Sequence, residues 1–347
     1  MKHLVLCIAF LLPRLVPAQD AIGTTIQNQM TKQKIVSLSV GIVKNGKVMT
    51  TRSYGIANVE HGVRASENTA YKLGSVSKQI VATAIMQMVE SKRLSLQDSV
   101  QKFFKDAPRH WRQITIRHLL NHTSGLQRES PAFEPMLEKP DSLLIRAAYK
   151  DTLAFPTGTQ WQYCNLSYFI LADIIRQLSG QPFAVYMREM MFKKNGLLNT
   201  QTTSVSSIIP NRAAGYVNNS GAMLNAEDYI ALRPSGAFVS TVNDMLKWEM
   251  ALQQNSIMTE NTLQQMWIDK VKTPAKSTNG EAIYYGYGWR ITRYRGKDIV
   301  FHTGVLPGFR AVFYRIPSEK TAIIILTNSE TQDIVSIAEG LVDRISE

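Results

Sequence analysis

The chain has 347 residues with 44% hydrophobic and 19% charged content, so it is long enough to bury a large core and too apolar to be disordered. Its net charge of +12 comes from Lys and Arg scattered singly, with no basic run of five and no aromatic-basic interleaving. That pattern argues against nucleic-acid binding and for a solvated basic surface with some attraction to anionic envelope polymers.

The N-terminus, "MKHLVLCIAFLLPRLVPAQDA", has a basic start at Lys2, an apolar run from Leu4 to Pro13, and small residues at Val16 and Ala18. This predicts a signal peptide over residues 1–18, cleaved after Ala18, and export to the periplasm or beyond the cell. A buried first strand is the alternative. Leu6 is too large for the position before a lipidated cysteine, which disfavours an anchor on Cys7. Cleavage would leave Cys164 alone, so no internal disulfide is expected, and nothing around Cys164 resembles a cysteine-hydrolase signature. No later segment has the ~20 continuous apolar residues that span a bilayer, so no transmembrane helix is expected in the mature chain.

Residues 21–34 alternate polar and apolar positions at helical spacing. "VSLSVGIVKNGKVMTTRSYGIA" then gives two β-rich runs joined by Asn45-Gly46, a dipeptide suited to a two-residue hairpin turn. In "YKLGSVSKQIVATAIMQMVE" a strongly apolar helix opens on Ser75 and Lys78. Three residues on a helix are about 300° and about 4.5 Å apart, so the two side chains share one side of one turn. Gly74 precedes them, and the helix start favours developing negative charge. A lysine desolvated there would fall below its usual ~10.4 and serve as a base. The plainer reading makes Ser75 a cap and sends Lys78 to the surface. Ser99-Val100-Gln101-Lys102 has the same spacing, but no apolar helix stands behind it.

From about residue 95 to 232 the pattern is helical and loop-like, punctuated by Pro and Gly. Within it, Tyr163-Cys164-Asn165 precedes another apolar helix; a tyrosine hydroxyl can relay a proton and an asparagine amide can hold a carbonyl. Tyr216-Val217-Asn218 repeats that spacing in a Gly- and Asn-rich segment and reads as a surface turn. Short β-rich runs close the chain, among them "FHTGVLPGFRAVFYRIP" with His302-Thr303-Gly304, before a helix from about residue 332 to 345. Strands at both ends with helices between predict an α/β fold. Its sheet is mostly antiparallel, built from both chain ends (about 19–95 and 233–347) and flanked by helices, with an all-helical insertion at about 96–232 in one domain, 19–347.

Ser-x-x-Lys, Tyr-x-Asn and a basic residue before Thr-Gly, in this order, resemble the signature of the serine β-lactamase and penicillin-binding-protein superfamily. The likeness is to the branch holding class C β-lactamases, D-alanyl-D-alanine carboxypeptidases, D-aminopeptidases and related esterases. It runs from about residue 22 to 345 and includes "LLNHTSGL" and "PSGAFVSTVNDMLKW". The resemblance implies a β-lactamase/transpeptidase-like fold with Ser75 as the acylated nucleophile, Lys78 its base and Tyr163 the second relay group. Asn165 would steer the substrate, and the N–H groups of Ser75 and Val305 would form the oxyanion hole. Thr303 and Gly304 would line the substrate strand, and Gln127 would contact a substrate amide, while His122 is left structural. His302 would join the substrate-binding residues, facing whatever lies beyond the acyl carbonyl, and it stands where class C β-lactamases usually carry Lys. A mostly neutral imidazole that acid would charge suits esterase and peptidase members better, and makes β-lactamase action weak. The expectation is a secreted serine hydrolase acting on an ester, a D-amino-acid amide or a peptidoglycan-derived peptide. A true class C-type β-lactamase and a catalytically idle penicillin-binding or scaffold protein are the alternatives. No cofactor is implied, and six scattered histidines without metal-ligand spacing imply no metal.

Overall fold

The computed structural model describes residues 18–203, 206–229, 236, 238–330 and 333–346. Residues 1–17 of the expected signal peptide 1–18, Cys7 among them, lie outside them, as do Pro234, Ser235 and Ala237 of the "PSGAFVSTVNDMLKW" stretch. Helix α1 (Ala18–Gln33) leads into the hairpin β1 (Ser37–Lys44) and β2 (Lys47–Asn58), followed by β3 (Val63–Arg64) and β4 (Tyr71–Lys72). The hairpin turn is Asn45-Gly46, with φ of 52° and 75°, the left-handed pair that matches the strand twist.

Helices α2 (Ser77–Glu90), α3 (Ile116–Leu120), α4 (Asp141–Ala147), α5 (Leu166–Ser179) and α6 (Phe183–Tyr186) come next. They are followed by β5 (Gln201–Thr202), β6 (Tyr216–Asn219), β7 (Ala222–Asn225) and β8 (Phe238–Ser240). Helices α7 (Val242–Gln253) and α8 (Glu260–Ile268) then precede β9 (Val271–Lys276) and β10 (Ala282–Tyr285). The chain closes through β11 (Arg290–Tyr294), β12 (Lys297–Leu306), β13 (Phe309–Ile316), β14 (Thr321–Thr327) and α9 (Ile334–Ser346).

Among the described residues the main sheet has nine strands in the order β3-β2-β1-β14-β13-β12-β11-β10-β9, paired antiparallel, so the chain ends meet where β1 pairs β14. Residues alternate across it. Ile323 and Ile325 of β14 join Val40, Val312, Ile22 and Leu341 under α1 and α9. Ile324 and Leu326 face the other way, into the larger core with Phe313, Ile80, Ile85, Ile170 and Trp248. Burial on both faces explains why "TAIIILT" is apolar throughout instead of alternating.

The insertion is not all helical. It carries β5 and the β6–β7 hairpin, whose turn is Ser220-Gly221 with φ of 51° and 95°. Tyr216 correspondingly is not on a surface turn: it is buried, donates to Glu60 Oε2 (2.6 Å) and accepts from Val59 N–H (2.7 Å). Ser-Gly is a weaker hairpin signal than Asn-Gly, because Ser takes left-handed φ less readily than Asn, and only the pairing partner reveals the strands beside it.

Candidate active site

Two backbones touch where the segment before α2 meets the end of β12. Gly74 sits at φ 52°, and a Cβ there would lie 2.8 Å from the Val305 nitrogen. Gly304, opposite, would drive a Cβ to 1.9 Å from the Leu73 carbonyl oxygen. Only glycines allow the turn Gly74–Val76 to press on the end of β12. Ser75 therefore lies on a tight 3₁₀ turn just ahead of α2, one step before the regular helix the sequence suggested.

Lys78, in the first turn of α2, is completely buried. Its Nζ donates to Ser75 Oγ (3.2 Å) and to Asn165 Oδ1 (2.7 Å), and lies 4.8 Å from the centre of the Tyr163 ring. Burial pulls its pKa below the ordinary 10.5; the Tyr163 hydroxyl and the Glu129 carboxylate pull it back up, and the Arg128 charge pushes it down. The lysine does not reach the surface. The other Ser-x-x-Lys pair is not brought together in this way: Ser99 Oγ donates to the Arg112 carbonyl (2.8 Å), and Lys102 Nζ pairs with Asp98 (2.9 Å).

Tyr163 and Asn165 reach this cluster from the loop before α5. The Asn165 N–H donates to the Arg128 carbonyl (2.8 Å), which fixes the loop end. The Asn165 amide is used on both sides, accepting from Lys78 and donating to Glu129 Oε1. Glu129 is half-buried, and its carboxyl is raised above the usual value by burial. It was missed in the sequence because it belongs to no motif, though it stands two residues after Gln127. Gln127 itself is not drawn into the cluster: its side chain donates to the Thr152 carbonyl (3.0 Å).

His302 corrects an expectation. Its side chain does not face an open cleft; it is 1% exposed. Nδ1 lies 2.8 Å from the Thr303 carbonyl, which only accepts, so Nδ1 carries the proton. Nε2 then accepts from the Tyr285 hydroxyl at 3.0 Å. Burial, with the charges of Arg290 and Lys78, holds the ring well below the ordinary 6.5, so mild acid does not charge it. Both nitrogens are committed inside the protein. No motif marks Tyr285, which lies in "YYGYGW", 17 residues away. Thr303 is half-buried, Gly304 buried and Val305 59% exposed. Val305 also lines a cleft of about 710 Å³ with Tyr216, Met223 and Arg310, whose walls include none of Ser75, Lys78 and Tyr163. Cys164 is buried with its thiol pushed up to about 11, which removes it as a nucleophile. Among the described residues no group of three or more His, Cys, Asp or Glu could hold a metal, and no helix is long and apolar enough to cross a membrane.

The family model described as Beta-lactamase matches residues 22–341. Protein flp of Staphylococcus aureus (strain COL) is 26% identical over 331 residues, a match covering 93% of this chain and 66% of that relative's length. The putative penicillin-binding protein PbpX of Bacillus subtilis (strain 168) is 26% identical over 317 residues, covering 90% of this chain and 76% of its own. Among solved structures, an octameric penicillin-binding protein homologue from Pyrococcus abyssi superposes with a TM-score of 0.85 at 24% identity, over 94% of this chain and 77% of that one. The D-amino acid amidase from Ochrobactrum anthropi SV3 gives 0.82 at 19% identity, over 94% and 96%. At these identities the superpositions show a shared fold.

Proposed function

Because the chain belongs to the beta-lactamase family, we propose that it is a serine hydrolase that works through an acyl-enzyme on Ser75. The observation that carries this reading is the fully buried Lys78 within 3.2 Å of Ser75 Oγ. An ammonium is costly to bury, so desolvation favours the neutral amine there. A neutral Lys78 accepts the Ser75 hydroxyl proton as Oγ attacks the substrate carbonyl. The N–H groups of Ser75 and Val305, held close by Gly74 and Gly304, would hydrogen-bond the oxyanion. Tyr163, against Lys78, passes a proton to the departing amine or alcohol, and water then attacks the acyl carbonyl to free Ser75.

For substrate, a neutral and internally bonded His302 offers no cation to a carboxylate, which favours esters and D-amino-acid amides over β-lactams. The likeness to a D-amino acid amidase fits that class. The basic and apolar start over residues 1–18 supports export of a single catalytic domain, 19–347, which N-terminal sequencing of the secreted protein would test.

The deciding experiment screens purified protein on p-nitrophenyl esters, D-alanyl anilides, D-Ala-D-Ala peptides and nitrocefin, with a fluorophosphonate probe in parallel. The probe should label Ser75 and not Ser99, and Ser75→Ala should abolish both labelling and turnover. An adduct on Ser99, or full labelling of Ser75→Ala, would sink the assignment. Nitrocefin turned over far faster than any ester would make the protein a β-lactamase.

A further inference from the structure

His122 lies at the end of "LLNH", in the short loop after α3, and carries two local costs. Its backbone sits at φ 64°, a left-handed conformation that a residue with a Cβ adopts at some expense. Its ring is completely buried. Nδ1 accepts from the Cys164 N–H at 3.3 Å, so the neutral ring carries its proton on Nε2, which finds no acceptor among the described residues. Costs of this kind persist when the surroundings over-determine them.

What His122 holds is the loop on either side of Tyr163. Its carbonyl accepts from the Gln162 N–H (3.0 Å) and its ring from the Cys164 N–H, so both neighbours of the tyrosine are tied to one residue. The same ring packs on the Tyr163 ring with centroids 4.5 Å apart, and on the Tyr285 ring at 4.6 Å. Tyr285 in turn bonds His302. His122 thus joins the loop carrying Tyr163 to Tyr285 on β10 and, through it, to His302 on β12.

We propose that His122 is a positioning residue for Tyr163, whose two backbone clamps and ring contact set where the phenol stands against Lys78 and Ser75. The inference rests on the serine-hydrolase reading for its kinetic part only. The left-handed backbone suggests the variants. His122→Gly keeps that conformation freely and removes the ring. His122→Asn tolerates it and offers an amide oxygen to Cys164 N–H without the aromatic face.

In folded His122→Gly, kcat on the best ester should fall about 10- to 100-fold, the scale of a misplacement near 1 Å, with KM held within about two-fold. His122→Asn should recover part of the loss, and it serves alone if the glycine variant does not fold. In a Tyr163→Phe background His122→Gly should cost almost nothing more, because it acts through the missing hydroxyl. A crystal structure of the variant should show Tyr163 displaced or split, with Ser75 and Lys78 in place. Wild-type kcat in a folded variant, losses that add to those of Tyr163→Phe, or an undisturbed Tyr163 would each overturn the proposal. Should the wild type label nowhere and turn over nothing, the functional reading falls, and the position of Tyr163 still decides the role of His122.

Discussion

Lys78 is buried beside two opposing charges, and that makes its titration a readout of the site. The Glu129 carboxylate favours the ammonium form and Arg128 disfavours it. Removing the carboxylate in Glu129→Gln should therefore lower the pKa of Lys78 further, and the acid limb of the kcat/KM profile should move to lower pH. Arg128→Gln should move it to higher pH. Glutamine can still accept from Asn165, so the geometry is kept while the charge goes. Opposite or absent shifts, measured on one neutral ester, would show that Lys78 is not the titrating base. Lys78 and Tyr163 should also fail as one device. Lys78→Ala, Tyr163→Phe and the double variant should each lose a similar share of kcat, about 10²- to 10⁴-fold, since a broken relay cannot be broken twice. Losses that simply add would mean that the two side chains work independently. Tyr216→Phe is the control: it removes the bonds to Val59 and Glu60 and so lowers stability, but leaves turnover per folded molecule unchanged.

The contact between the 3₁₀ turn before α2 and the end of β12 is what brings the Ser75 and Val305 backbones together. Its tolerance is small, because a Cβ at Gly304 would lie 1.9 Å from Leu73 O, a backbone atom that no side-chain rotation can relieve. Gly304→Ala should force β12 away from the turn. The expected result is a loss of about 1–3 kcal/mol in stability by chemical denaturation. The folded fraction should lose about 100-fold in turnover, as for other shifts near 1 Å in an active site. Near wild-type turnover in Gly304→Ala would show that the two backbones need not touch for the reaction.

Over the whole molecule, the two buried histidines link stability to pH. His122 and His302 are both held well below the ordinary 6.5, chiefly by burial. Above pH 6.5 they are neutral folded or unfolded, and their contribution to stability is complete. As pH falls below 6.5 the unfolded chain takes up protons that the folded protein refuses, so stability is lost progressively. The slope for each approaches about 1.4 kcal/mol per pH unit until its folded-state value is reached. Denaturation midpoints should therefore fall from pH 7 to pH 5. Replacing His302 by Gln, which does not titrate, should flatten that dependence. Over the same range the ratio of ester to nitrocefin kcat/KM should not swing towards the carboxylate-bearing substrate, because His302 stays neutral. A dependence equally steep without His302 would assign it to other groups.

Much of the fold was legible in the sequence because it is local. The β-rich runs, Asn45-Gly46 and the apolar stripe of α2 act within a few residues of themselves. The Ser75–Lys78 spacing put the two on one side of one turn, and Tyr163-Asn165 stood before an apolar helix; no packing was needed to see either. Tertiary structure decided the rest. Whether His302 turned to the cleft or to the interior depended on the Tyr285 hydroxyl, which arrives on another strand. Glu129 became part of the lysine's surroundings only through Asn165, 36 residues away. The Ser220-Gly221 turn became a hairpin because β6 and β7 found each other. Sequence spacing reports which groups can share a turn or a strand face. Which of them lose water, and which distant partner then takes their hydrogen bonds, is set when the sheet and the helices close over them.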